Sequence, residues 1–399
     1  MDLRSGYPLW LVRSGLPYNY PKLEKDTRTD VLIAGGGISG ALAAHYLLQN
    51  GIDCMLVDGR TIGLGSTCAS TALLQYQVDV PLSEMIDKIG KEKALRAYRL
   101  CADSVDEIES LCAQIGFKDF VRKPTLFYAS YKKDAKLIAK EYAVHKQAGF
   151  SVQLWSKDLI KKRFGFSSEM ALYSHHSAQT DAYQITHALL QYNKGRGLRV
   201  YDRTRLEKIN HNKSGVVCRT ENGFTIKAKN LLYATGYEAV KYISKKIVNL
   251  SSTYAIATEQ GKDKQYWYAD CLLWETKQPY LYMRNTSDHR IIVGGRDEEF
   301  HDPRLRDKKI ERKTKALQHD FEKLFPHIGL KAEFSWTGTF GSTKDGLPFI
   351  GEYDALPNSL FALGFGGNGI TFSVIAARIL ADKIKGKSNP DSNLFSFDR

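Results

Sequence analysis

The chain lacks most of what would tie it to a membrane, an oxidising compartment or a metal. Its six cysteines (54, 68, 101, 112, 218 and 271) are scattered without a CxxC pair. That argues against a disulfide scaffold and for a reduced, soluble, cytoplasmic protein. No apolar run approaches the ~18 residues of a membrane span. The opening MDLRSGYPLWLVRSG has neither the apolar stretch nor the small-residue cleavage site of a signal peptide. No histidine stands at zinc-like spacing from Cys, Asp or Glu, and adjacent His175 and His176 would point to opposite faces of a strand, so no metal site is expected. There is no Ser–His–Asp signature. No long stretch is biased toward Pro, Ser or Gln, which excludes extensive disorder.

What is present is a sizeable apolar fraction and an excess of positive charge. With 399 residues, 43% of them hydrophobic, the chain can bury a large core in about two domains. The net charge of +13 gathers in SKDLIKKRF (156–164) and RLRDKKIERKTK (304–315). These runs lack interleaved aromatics, which argues against nucleic acid. They read as solvated helix faces, with peripheral contact to an anionic membrane or an acidic partner as the alternative.

The pattern of elements begins with a buried strand at 29–34, a glycine turn, an apolar-periodic helix to about Gln49, and a second strand at 53–58. That is the opening β–α–β of a nucleotide-binding fold. Residues 84–115 read as helix. From about 117 strands and short helices alternate, including a Lys-rich helix at 132–147. A helix restarts at Asp181, with Gln184 at capping-box spacing. Four short strands follow, the last two joined by the turn Glu221-Asn222-Gly223, and then the strand NLLYATGY. A charged helix covers about 306–324, and the chain closes on ALGFGGNGITFS and a helix.

GGGISG places Gly35, Gly37 and Gly40 in the spacing G-x-G-x-x-G. The first glycine suits a tight turn, the second a close approach to pyrophosphate, and the third close helix packing. The helix N-terminus beyond them offers free N–H groups to phosphate. Asp58, 18 residues past Gly40, ends the second strand where a carboxylate can accept ribose hydroxyls. FAD and NAD both suit this loop. The long, small and polar segment GRTIGLGSTCASTALLQ (59–75) is suited to wrapping a cofactor.

With that segment the chain resembles the FAD-dependent amine and amino-acid oxidoreductases related to D-amino acid oxidase, glycine oxidase and monomeric sarcosine oxidase. The matching motifs are DVLIAGGGISGALAAHYL, GLGSTCAS, LLYATGY, DGLPFIG and GFGGNGITFS, in this order, from about residue 30 to 387. The resemblance implies an α/β fold: a Rossmann-like FAD-binding domain of the glutathione-reductase type and a second α+β substrate domain on a mixed or antiparallel sheet. The expected division is 1–116, 173–248 and 337–399 for FAD, and 117–172 and 249–336 for substrate.

By the same resemblance, Gly35, Gly37, Ile38, Ser39 and Gly40 would meet the pyrophosphate and Asp58 the ribose. Gly59, Arg60, Gly65, Ser66, Thr67, Ser70, Thr71, Leu74 and Gln75 would line the cofactor. Leu206 would present backbone to adenine, and Thr235 and Gly236 would pass beside it. Gly367, Asn368, Gly369, Ile370 and Thr371 would bring a second helix N-terminus to the flavin ring, where N–H groups can stabilise the charge that develops on reduction.

The implied reaction removes a hydride from a carbon bearing nitrogen to flavin N5, and the imine hydrolyses. Tyr282 matches a substrate-site tyrosine. Arg284 shares its strand parity, and Arg296 is a further candidate carboxylate clamp. Three positions depart from the sarcosine oxidases. Gln75 and Thr371 stand at the Arg/Lys clamp positions, Ile292 replaces the lysine that assists oxygen, and no cysteine follows Cys271 to tether FAD. FAD is therefore expected to be noncovalent, with O2 or another acceptor reoxidising it and a small amine as substrate. Two alternatives remain: an FAD dehydrogenase of a hydroxy acid or polyol phosphate, and a non-catalytic FAD-binding subunit.

Overall fold

The computed structural model describes residues 1–263 and 265–399. Two sheets organise them. The smaller, eight-stranded sheet has the order 349–352, 359–363, 225–233, 27–34, 54–57, 199–201, with the strands 206–212 and 215–220 folded as a meander beside 225–233. Its four central pairings are parallel. Strands buried on both faces need an unbroken apolar run, and Val31-Leu32-Ile33-Ala34 provides one. Val31 and Ile33 pack under the helices, whereas Leu32 and Ala34 pack under the meander with Val216 and Cys218.

The helices on the first face are Ile38–Gln49, Lys91–Ile115, Ala182–Lys194 and Gly369–Ile384. The helix expected at 84–115 is two helices, Leu82–Ile89 and Lys91–Ile115, because Gly90 takes a positive φ of 87° between them. Asp181 caps its helix as expected, accepting from the N–H groups of Tyr183 and Gln184 at 2.9 Å. The reciprocal half of the box is missing, since the Gln184 amide donates to Ser14 Oγ.

The ten-stranded sheet runs 4–6, 332–342, 249–258, 291–298, 282–285, 272–275, 120–128, 170–180, 73–75, with 152–156 also on 170–180. It is antiparallel except where 272–275 meets 120–128. Strands 4–6 and 73–75 come from the segment expected in the dinucleotide domain but pair here, so the chain start and the cofactor-wrapping segment bridge the two sheets. Helix Ile310–Leu324 covers one face through Leu317 and Phe321, which pack on Ile256, Leu273, Met283 and Val293. Alternation along each strand turns Ala255, Trp274 and Tyr282 to the other face, toward the glycine loops.

The basic run 304–315 is largely engaged within the protein. Lys309 and Lys313 each reach Glu298 at 2.7 Å, Lys315 pairs with Glu311, and Arg306 is fully buried beside Asp307. No helix among the described residues is long and apolar enough to cross a membrane, and all six cysteines are free and buried.

Candidate active site

A cavity of about 310 Å³ lies between the two sheets, running from the first glycine loop to the last. It falls in the size range of ligand sites. At one end the helix Ile38–Gln49 begins without a side-chain cap from Gly37, which leaves its first turn facing the cavity. Gly35, Gly37, Ile38 and Ser39 line it. Gly40 does not. A Cβ there would run into the Gly35 carbonyl oxygen, so the third glycine serves helix–turn packing. The Ile38 N–H already donates to Thr67 Oγ1 at 3.0 Å.

Asp58 Oδ2 accepts the Gly36 N–H and Oδ1 the Arg60 N–H, both at 2.7 Å. Burial pushes its carboxyl above the usual range, while these two bonds and the charge of Arg60 work against that. Gly59, Arg60, Gly65, Ser66, Thr67, Ser70, Thr71, Gln75, Leu206, Thr235 and Gly236 all line the cavity. The Arg60 guanidinium is held by Glu238 and by the Met1 carbonyl, each at 2.8 Å. Leu74 is a correction. Along the strand Leu73–Gln75 the side chains alternate, so Leu73 and Gln75 line the cavity while Leu74 packs into the helical core.

At the other end Gly367, Asn368, Gly369, Ile370 and Thr371 line the cavity, and the helix they open is likewise uncapped by a side chain. Two of the N–H groups expected to face a flavin are already used. Gly367 N–H donates to Asp79 Oδ2 at 2.7 Å, and Asn368 N–H to the Phe365 carbonyl. The Asn368 amide locks the loop to the wrapping segment, donating to the carbonyls of Gln75 and Gln77 at 2.9 and 3.0 Å. Ser39 Oγ and Ser373 Oγ lie 2.7 Å apart, which joins the two glycine helices directly.

Beside this second loop the cavity wall is Trp274, Tyr280, Tyr282 and Asp297. Tyr282 lies over Gly294, where any Cβ would collide with its ring, and burial raises its hydroxyl pKa. Tyr280 OH donates to Asp79 Oδ1 at 2.8 Å. Burial pushes the Asp79 carboxyl up. Burial, with the charge of Asp79, pushes that of Asp297 up to about 6, against opposing contributions from Thr253 and Lys313.

The two candidate arginines lie elsewhere. Arg284 shares the face of Tyr282 but sits beyond the cavity, fully buried over Trp10, with Nη1 donating to the carbonyls of Ala72 and Thr180 at 2.8 and 2.9 Å. Arg296 forms a bidentate pair with Asp320 at 2.6 and 2.5 Å. By plain alternation after Ile292 and Gly294 it would face the cavity. An irregularity intervenes, with Tyr254 opposite Gly295 but Ser252 opposite Glu298. The extra residue turns Arg296, at φ 60°, away and brings Asp297 to the cavity. Ile292 is buried in a small core with Trp10 and Trp336 and does not line the cavity.

Asp79, Tyr280 and Asp297 were not anticipated from the sequence. Tyr280 shares the strand parity of Tyr282 that pointed to Arg284; Asp297 was hidden by the bulge.

The cavity fits a dinucleotide on its own chemistry. Ser66 Oγ, Thr235 Oγ1 and Gln75 Nε2 line it, are buried, and have no partner in the protein. Two uncapped helix N-termini face it. Comparison with known proteins agrees. The family described as "DAO: FAD dependent oxidoreductase" matches residues 30–383. YhfW of Bacillus subtilis (strain 168), named for a Rieske 2Fe-2S iron-sulfur centre, is 25% identical over 98% of this chain and 75% of its own length. Glycine oxidase of Geobacillus kaustophilus (strain HTA426) is 25% identical over 90% of this chain and 94% of its own. A crystal structure of glycine oxidase from Geobacillus kaustophilus superposes with a TM-score of 0.78 at 20% identity, covering 93% of this chain and 99% of that one. With the family match spanning both glycine loops and the strands between them, the chain belongs to the DAO family of FAD-dependent oxidoreductases.

Proposed function

We propose that this cavity oxidises the C–N bond of a primary or secondary amine or amino acid, with FAD bound noncovalently. The observation that carries this is the continuity of the cavity. It leads from a phosphate-type helix N-terminus, past unpartnered polar atoms, to an aromatic and carboxylate wall beside a second helix N-terminus. Gly35, Gly37 and Ser39 would hold the pyrophosphate, Asp58 the ribose, and Thr235 and Ile370 the flavin side. No cysteine lines the cavity among the described residues, in keeping with an untethered cofactor.

Bound there, FAD would supply the two-electron acceptor for a C–H bond next to nitrogen. The C=N product then takes up water and separates into a carbonyl compound and the released amine. Tyr282 and the loop at Gly366–Asn368 position the substrate between them. The six unpaired, buried thiols support a reducing compartment such as the cytoplasm. The acceptor that reoxidises the flavin is O2 or another oxidant.

Anaerobic titration of the holoenzyme tests the proposal. Amines or amino acids should bleach the flavin absorbance and hydroxy acids should not, and reoxidation by air or by a quinone then separates oxidase from dehydrogenase. Bleaching by a hydroxy acid and by no amine would overturn it.

A further inference from the structure

The cations lining the cavity are confined to one end, where two carboxylates accompany them, while the other end holds carboxylates alone. Arg60, Arg205, Lys241, Glu238 and Asp58 cluster toward the Leu206 end, where Arg60 is paired with Glu238 and Arg205 with Glu221. Toward Tyr282 the charged lining residues are Asp79 and Asp297, with no Lys or Arg among the described residues. The nearby cations are committed elsewhere. Arg296 is paired with Asp320, Arg284 donates to two carbonyls, and Lys313 donates to the Arg296 carbonyl and contacts Glu298.

Two buried carboxylates with no free cation beside them among the described residues are costly, and a cationic ligand would offset that cost. The end is also rich in acceptors without donors. Asp297 Oδ1 is buried without a partner, and so is Gln77 Oε1, on a side chain only 4% exposed that lines the same cavity. Asp79 is held in place by Tyr280 OH and Gly367 N–H. A Cβ on Gly367 would stand 2.6 Å from its Oδ1, so the loop is shaped around that carboxylate. The aromatic part of the wall is continuous: Trp274 and Tyr280 centroids are 6.0 Å apart, Tyr280 and Tyr282 5.8 Å. Carboxylates set among aromatic faces suit an alkylammonium, through charge pairing and cation–π attraction together.

We infer that this end of the cavity, bounded by Asp79, Asp297, Tyr280 and Tyr282, selects an amine that carries a second ammonium group and no carboxylate beside the reacting carbon. The inference rests on the proposed amine oxidation and narrows its substrate class. An α-carboxylate would meet two carboxylates and no guanidinium. A diamine meets one carboxylate for the reacting nitrogen and one for the distal ammonium.

The test uses the holoenzyme under anaerobic conditions with 1,4-diaminobutane, n-butylamine, 4-aminobutanoate and glycine. Perturbation of the flavin spectrum reads binding, and its loss reads reaction. The diamine should bind about 30-fold or more tightly than n-butylamine, the scale of a desolvated charge pair. The two amino acids should bind more weakly than either amine. Asp79→Asn and Asp297→Asn should bring the diamine-to-monoamine ratio toward one with FAD content unchanged. Should either variant fail to fold, the ranking in the unmodified enzyme still decides.

Glycine or 4-aminobutanoate binding better than the diamine, or equal binding of diamine and monoamine, overturns the inference while amine oxidation stands. Selective spectral perturbation by the diamine without bleaching by any amine upholds the recognition and removes the proposed reaction. No response to any of the four overturns both.

Discussion

At the first glycine loop, the outer two glycines, Gly35 and Gly40, are closed in by backbone. A Cβ on Gly35 would meet the Ala234 carbonyl, and one on Gly40 the carbonyl of Gly35. At the last loop the neighbours are a side chain or open space. Gly366 and Gly367 back onto the Asp79 carboxylate, while Gly369 has its nearest neighbour, Phe365 Cβ, at 4.0 Å. Both loops open a helix toward the same cavity. The first is shaped by the fold itself, as the crossing point of a strand, a turn and a helix. The second is shaped in part around the Asp79 carboxylate, and at Gly369 a missing side chain leaves room that the protein does not fill.

Substitution at each loop should therefore fail differently. Gly40→Val forces a side chain into the Gly35 carbonyl with no flexible atom to yield. It should cost about 4 kcal/mol or more, the range of the most damaging single changes, seen as lost soluble expression or a collapsed thermal transition with or without FAD. Gly369→Val has space in the protein and a helical φ of −54°. The apoprotein should melt at an unchanged temperature, while FAD affinity falls roughly ten- to hundredfold, the scale of overpacking by a small apolar group. Equal loss of apoprotein stability in both variants would erase the contrast between the loops.

The same contrast explains what was legible in the sequence. The first loop could be read because backbone geometry constrains residue type locally: Gly35, Gly37, Gly40 and Asp58 are separated by short, fixed spacings. Tyr282, named from the family resemblance, lines the cavity, whereas Arg284, placed by its shared strand parity, sits beyond it. Plain alternation breaks down at Gly295–Asp297, within the next strand, because one extra residue in the ladder exchanges Arg296 for Asp297. No local pattern announces such a bulge when its cause is a partner strand some forty residues away. Asp79 was missed for a related reason. Its role depends on Tyr280 and Gly367, which are about 200 and 290 positions distant in the chain.

Asp297 offers a finer probe of the carboxylate end. Asp79, Thr253, Lys313 and the three tyrosines at 237, 280 and 282 surround it electrostatically. Its folded-state carboxyl, at about 6, lies above the model-compound value of 3.8. The native protein therefore binds that proton more tightly than the unfolded chain. The stability this contributes is whole below about pH 4 and is lost as pH rises through about 6. Asp297→Asn should match the parent apoprotein near pH 4 and exceed it at pH 8 by roughly 3 kcal/mol, measured by denaturant midpoint at the two pH values. A variant equally destabilised at both would mean that the carboxylate is structural.

The smallest effect belongs to Arg296, which plain alternation would have placed in the cavity instead of Asp297. The Arg296–Asp320 pair is partly exposed, with 37% of the arginine side chain accessible, and such pairs contribute about 0–1 kcal/mol. Arg296→Gln should leave the flavin spectrum, the bleaching rate and the amine ranking within about twofold, because its guanidinium faces away from the cavity. A side chain that stays at the surface cannot clamp a substrate. If the variant instead lost binding of carboxylate-bearing amines selectively, the bulge would have to open in solution and return Arg296 to the cavity, and the charge division along its length would no longer hold.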